Sequence, residues 1–143
     1  MTRTGFSDTV RRTILVDLQS AQVWNILSHI TNLWWAVGVQ KTLPLAGPLR
    51  GFGSSRVISF KSGQMVRETI IGWKPKEYLS YVATSGLAIQ AYHATISIKP
   101  VKKKTRVTWE SVFADKDERA VENFKKEIGV FYSDSLRQLR NKF

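Results

Sequence analysis

The chain changes its hydrophobic period twice, and its elements follow from those changes. Residues 9–17 (TVRRTILVD) are rich in β-branched side chains and predict a first strand. Over Ala21 to His29 and the residue after it, Val23, Trp24, Ile26, Leu27 and Ile30 fall at helical spacing, with Ser20 placed as the N-cap. Thr31 predicts a further short helical turn through Asn32, Leu33, Trp34 and Trp35. Period two then takes over. Strands are predicted at 37–43, 56–60, 65–73, 78–84, 89–99 and 105–113, divided by turn formers such as Gly47-Pro48, Lys61-Ser62-Gly63 and Lys74-Pro75-Lys76. Connections this short join antiparallel neighbours, so the strands predict a meander.

Period 3.6 returns at Asp117 and lasts to Phe143. Val121, Phe124, Ile128, Phe131, Ser135/Leu136, Leu139 and Phe143 make one stripe, Asp117 is the expected N-cap, and Arg137, Arg140 and Lys142 suit the last turns. Such a helix runs roughly 35–40 Å. No other helix matches it, so its stripe has to lie on the sheet. The sixth strand agrees: Gln90, Tyr92, Ala94, Ile96 and Ile98 share one face, while Ala91, His93, Thr95, Ser97 and Lys99 share the other. A sheet covered on one side reads this way. The prediction is an α+β fold in a single domain, 1–143. Whether the long helix fills the curve of the sheet or leaves a cavity decides what the protein does.

Composition narrows the classes. Hydrophobic residues make up 43% of the 143, enough for a core, and the absence of cysteine excludes disulfides and thiolate metal sites. No apolar run approaches the ~18 residues of a membrane span and no signal region is evident, which predicts a cytoplasmic protein. The net charge of +11 favours anionic partners. Its densest cluster, Lys99, Lys102, Lys103, Lys104 and Arg106 around Pro100, reads as a solvated hairpin tip. Docking to nucleic acid or an acidic membrane is the alternative, although nucleic-acid surfaces interleave exposed aromatics with the charges and this turn has none.

Several local motifs stand in a fixed order: ILVDLQSAQVWNIL at the first strand and helix, Leu33-Trp34-Trp35, Gly51-Phe52-Gly53, Arg67-Glu68-Thr69-Ile70, Tyr78-Leu79-Ser80-Tyr81, Tyr92, and Val107-Thr108-Trp109-Glu110. With these the chain resembles the START-like (helix-grip, or SRPBCC) superfamily from Thr9 to about Leu139, nearest to its polyketide cyclase/dehydrase and lipid-transport branch. The resemblance implies a seven-stranded antiparallel sheet gripping the C-terminal helix around a deep, mostly apolar cavity. Members bind lipids, sterols, hormones or polyketides, and only some are enzymes. The lysine and gate motifs of the plant hormone receptors are not evident, since only a short turn follows Phe60.

Candidate site residues follow from strand parity and from that resemblance. Glu68 shares its face with Val66 and Ile70, so its carboxylate points inward and requires a cation, a proton or a ligand. Arg56, with Ile58 and Phe60 on its face, is the expected partner on the adjacent strand. The two form a structural pair, a ligand anchor or a proton-transfer couple. Tyr81 and Tyr92 lie on apolar faces, as core residues or as ligand contacts, with Gln90 near the mouth and Ala94 beside them. The resemblance turns Glu110 inward, whereas alternation with Val107, Trp109 and Phe113 turns it outward unless a bulge intervenes. Trp34 and Trp35 diverge by about 100° on a helical turn, so either both pack in different places or one packs and Trp35 is the candidate at the cavity. Phe124, Ile128, Phe131 and Ser135 form the helix wall, Gly129 implies a kink, room for a neighbour or a point of slack at the cavity, and residues 84–88 are a candidate lid. His29 and His93 stand apart from each other and from any metal-ligand spacing, so no metal and no cofactor is expected. The leading expectation is a binder of a hydrophobic small molecule or lipid, monomeric or weakly dimeric. A cyclase- or dehydratase-like enzyme is the alternative, and a basic adaptor for ribosomal RNA or an acidic membrane is a third reading.

Overall fold

Every strand but the first hydrogen-bonds its neighbour in sequence, and the first pairs with the last. In the computed structural model, which describes residues 5–143, β1 (Phe6–Val16) leads into α1 (Ser20–Leu27). There follow β2 (Val39–Pro44), β3 (Ser55–Phe60), β4 (Met65–Lys74), β5 (Tyr78–Ser85), β6 (Ala91–Val101), β7 (Lys104–Asp115) and α2 (Glu118–Asn141). The seven strands form one antiparallel sheet in the order β1-β7-β6-β5-β4-β3-β2. A meander alternates its ends: the β2–β3, β4–β5 and β6–β7 connections lie at one end, and β3–β4 and β5–β6 at the other.

Register irregularities occur between Val39 and Lys41 on β2 and at two places on β4, between Arg67 and Glu68 and between Ile70 and Gly72. Bulges of this kind sharpen the bend of a sheet. The bent sheet is the helix-grip architecture, with α2 in its concave side.

The helix is held as its stripe predicts. The side chain of Asp117 accepts from the Arg119 amide at 3.0 Å, and Val121, Phe124, Ile128, Leu136 and Leu139 are buried. Tyr132, four residues after Ile128, is buried as well, and Phe131 beside it is half-buried.

Three local expectations are corrected. Ser20 is the first helical residue and not the cap: its hydroxyl pairs with Thr105 Oγ1 at 3.2 Å, while Gln19 precedes the helix and donates its amide to Gln22 Oε1 at 3.2 Å. No second short helix follows α1. The Asn32 amide donates to the His29 carbonyl and the Ala36 amide to the Leu33 carbonyl, each at 3.0 Å, so residues 28–38 are a chain of turns. Gly129 gives room to a neighbour, as one reading of it expected, and is not slack beside a cavity. A β-carbon there would come within 2.7 Å of Nη2 of Arg12, whose Nε donates to Ser133 Oγ at 3.0 Å. The missing side chain makes room for an arginine reaching across from β1.

Candidate functional site

The β3–β4 register sets Arg56 directly opposite Glu68, and both face the concave side with Ile58, Val66 and Ile70. They are 5% and 7% exposed. Nε and Nη2 of Arg56 both donate to Oε1 of Glu68, at 3.0 and 2.8 Å, and Nη1 donates to the Ile30 carbonyl at 2.8 Å. Burial pushes the Glu68 carboxyl above its ordinary value, and the charge and hydrogen bonds of Arg56 offset only part of that. Among the described residues, nothing donates to Oε2.

A second polar group lies beside this pair. The Arg56 guanidinium sits 5.4 Å from the centre of the Tyr81 ring. Trp109 donates its indole N–H to Tyr81 Oη at 3.0 Å, the Tyr81 and Tyr92 hydroxyls are 3.5 Å apart, and Tyr92 hydrogen-bonds Tyr132. Burial raises all three phenols above their ordinary range. Rings fix the chain in place: Trp109 stacks on Tyr132 at 4.1 Å between centres and meets Trp35 edge-on at 5.4 Å.

Sheet and helix do not close over these groups. They leave a cavity of about 230 Å³. That exceeds the ~150 Å³ known to admit benzene, and falls below the ~300–1,000 Å³ of sites for drug-sized ligands. Its rim is Gln64 from the β3–β4 turn, Leu87 and Ala88 from the β5–β6 connection, and Glu127 from α2. Gln64 Nε2 donates to the Gly86 carbonyl at 2.8 Å, so the two connections are tied together on the sheet side of the mouth. Gly86 has φ +97°, and a β-carbon on it would lie 1.9 Å from the Met65 carbonyl oxygen. Only glycine lets the connection pass that close to β4.

Most of the expected residues border this space: Trp35, Arg56, Ile58, Phe60, Glu68, Tyr81, Tyr92, Phe124, Ile128 and Phe131. Ile70 and Ala94 share the inward face but are buried in the surrounding core and do not border it. Ser135 is buried, and its Oγ accepts from the Val37 amide at 3.1 Å, which fastens the 28–38 connection to α2. Gln90 is exposed ahead of β6, where its Oε1 accepts from the Lys116 amide at 2.9 Å. Glu110 faces outward, 4.0 Å from Arg11, because β7 keeps an unbroken register with both neighbours and no bulge turns it in. Trp34 is exposed and its ring lies 6.3 Å from Phe143.

Sequence reasoning misses Leu33, Ala36, Ile96 and Trp109 as lining residues, and Tyr132 behind Tyr92. Parity with Val107 and Phe113 is the available signal for Trp109, and the four-residue step from Ile128 for Tyr132. Among the described residues, no three His, Asp or Glu side chains converge as a metal site. None of the helices there is long and apolar enough to cross a membrane.

A family model described as polyketide cyclase/dehydrase and lipid transport matches residues 7–143. The chain belongs to that family. Solved structures of similar fold include the protein XoxI from Bacillus cereus, with a TM-score of 0.84, 21% identity and 94% of each chain covered. A protein from Nitrosospira multiformis superposes with a TM-score of 0.79 at 22% identity, over 95% of this chain and 96% of the other. Norcoclaurine synthase from Thalictrum flavum, solved in complex with dopamine and hydroxybenzaldehyde, gives 0.76 at 16% identity, over 97% of this chain and 87% of its own. At these identities the likeness establishes the family's helix-grip fold alone. No curated protein matches the sequence.

Proposed function

We propose that the protein binds a compact, mostly apolar molecule between its sheet and α2, and holds that molecule's polar end at Oε2 of Glu68. The observation that carries this reading is a buried ion pair with one unused carboxylate oxygen at a cavity of about 230 Å³. Arg56 spends its charge on Glu68 and Ile30, so the charged pole offered to a ligand is an acceptor, beside the unpartnered indole N–H of Trp35. Among the described residues, Arg56 is the one cation lining the space, against the carboxyl groups of Glu68 and Glu127. The surface of the chain is strongly basic, yet its cavity favours a neutral or cationic molecule carrying a hydroxyl, amide or amine donor. The size suits one or two rings. Norcoclaurine synthase holds dopamine and hydroxybenzaldehyde, both single-ring compounds, in the same fold.

Native mass spectrometry of the purified protein tests this, paired with displacement of an environment-sensitive dye by small phenols and aryl amines. The expected result is a retained or displaceable ligand, with carboxylate analogues at least about tenfold weaker because they bring a like charge to an unscreened oxygen. Absence of any bound mass together with failure of every compound to displace the dye would overturn the reading.

A second reading is favoured by one specific feature: a carboxyl raised by burial, with Oε2 free, beside a chain of phenols. That is the equipment of a general acid or base in a cyclase- or dehydratase-like enzyme. Glu68→Gln separates the two. With Arg56 held by the amide oxygen, the amide nitrogen replaces the Oε2 acceptor, so a binder loses affinity for the donor-bearing ligand and shows no turnover at any stage, whereas an enzyme shows turnover in the parent chain that the variant loses.

A further inference from the structure

The end of the sheet opposite the mouth carries a feature that the cavity does not use. Between β2 and β3 the chain exposes large apolar side chains in close succession: Leu49 is 75% and Phe52 71% exposed, and Leu43 and Leu45 are about half exposed. The segment is pinned from beneath. The Leu45 amide donates to the Ser55 carbonyl at 2.9 Å, the Ser55 amide to the Ala46 carbonyl at 3.0 Å, and the Gly53 amide to the Ile70 carbonyl at 2.9 Å. Gly47, at φ +80°, closes the neck, since a β-carbon there would lie 2.2 Å from the Gly53 carbonyl oxygen. These bonds fix the neck of the segment while the leucines and the phenylalanine stand in water. Left bare, such side chains mark a contact surface.

Charge says what kind of contact. From residue 18 to residue 67 the sequence contains no aspartate or glutamate. Arg50 sits inside the apolar tip. The other connections at this end add Lys76 after β4, and Lys102, Lys103 and Lys104 at the β6–β7 turn, all exposed. Of the carboxylates at this end, Glu77 is already paired with Lys74 at 2.9 Å, and Asp17 follows β1. At ~4.8 Å per strand, the β6–β7 lysines lie roughly 20 Å across the sheet from the apolar tip. One flat anionic surface would meet both.

We infer that this end of the sheet docks on an anionic lipid bilayer, with Leu49 and Phe52 entering the interface and Arg50, Lys76 and the β6–β7 lysines on the headgroups. A second copy of the chain would bring the same cations face to face about a two-fold axis. RNA would be met by aromatic platforms, and this tip is aliphatic apart from Phe52. Apolar side chains ringed by cations are the chemistry of an interfacial anchor. The mouth lies about 20 Å away along six-residue β3, at the opposite end. The docked protein therefore turns its cavity to the aqueous side, and its ligand exchanges with water and not with the bilayer. The docking stands whatever the cavity holds.

Co-sedimentation with phosphatidylcholine vesicles, with and without phosphatidylserine, tests the proposal. The intact chain is expected to bind only the phosphatidylserine vesicles, and less so as salt rises. Leu49→Ser with Phe52→Ser should weaken binding at least about tenfold through lost apolar insertion, and Arg50→Glu at least about fivefold through lost headgroup attraction. These side chains are exposed, and an unchanged melting temperature shows that the variants fold. The chain has no cysteine, so one can be placed at will. A polarity-sensitive dye on Leu49→Cys should shift to the blue with phosphatidylserine vesicles, and the same dye on Ser62→Cys, in the β3–β4 turn, should not. No vesicle binding by the intact chain overturns the proposal. So does binding that the tip variants leave unchanged, a blue shift at position 62, or concentration-dependent dimers that the tip variants abolish.

Discussion

Arg56 gives two hydrogen bonds to one oxygen of Glu68 and none to the other. This asymmetry makes the pair both a structural element and a binding group, and the two roles come apart under mutation. Glu68→Leu strands a buried guanidinium and is expected to cost about 3–5 kcal/mol in urea unfolding. Adding Arg56→Met removes the stranded charge, and the double variant should recover most of that loss, because a well-packed apolar pair replaces a buried ion pair at little cost. Neither variant should hold a donor-bearing ligand. A double variant no more stable than Glu68→Leu would mean that the pair does more for the fold than its charges account for.

That pair is legible in the sequence because strand parity and a short turn leave few registers. Val66 and Ile70 fix which way Glu68 points, and the turn after Phe60 is too tight to let β3 slip against β4. Glu110 shows the opposite case: alternation turns it outward, and the family resemblance turns it inward. The unbroken β7 register shows that the local rule is the better guide. Tyr132 and Gly129 escape the sequence for a different reason. Phe131 and Tyr132 are adjacent and both apolar, so a stripe drawn from one helix cannot say which of them the sheet will take. Gly129 depends on an arginine 117 residues earlier in the chain, a meeting that only the packing of α2 on β1 brings about.

Gly129→Ala discriminates the two accounts of that glycine. Alanine stabilises an interior helical position by about 1 kcal/mol over glycine. Here the new methyl group meets the far end of a flexible Arg12 side chain at 2.7 Å, which can swing outward to solvent. The net change expected in thermal unfolding is small. Dye affinity for the cavity should stay the same, because position 129 faces Arg12. A marked fall in dye affinity would restore the idea that the glycine provides cavity volume.

The tyrosine chain predicts a definite alkaline behaviour. Burial raises Tyr81, Tyr92 and Tyr132 in the folded state above the ordinary value of 10.0. The unfolded chain then loses protons from about pH 10 upward that the folded chain retains, so the contribution of these groups is full below that pH and fades as pH rises further. Urea midpoints should fall steeply above pH 10, less steeply in Tyr132→Phe, and phenolate absorbance from the buried rings should appear together with unfolding. Ionisation of those rings in a protein that stays folded would contradict their burial.

The hydrogen bond from Gln64 to Gly86, at 2.8 Å, joins two connections on the sheet side of the mouth, and the two residues should respond differently to substitution. Gln64→Ala removes only an exposed tie, so stability should change by less than about 0.5 kcal/mol, while stopped-flow dye entry becomes faster. Gly86→Ala forces a β-carbon to within 1.9 Å of the Met65 carbonyl oxygen at a φ of +97°. The β5–β6 connection must then lift off β4, with a cost of about 1–3 kcal/mol and faster dye entry than in Gln64→Ala. Equal entry rates in both variants and the parent chain would mean that ligand reaches the cavity by another route, past the turns of residues 28–38.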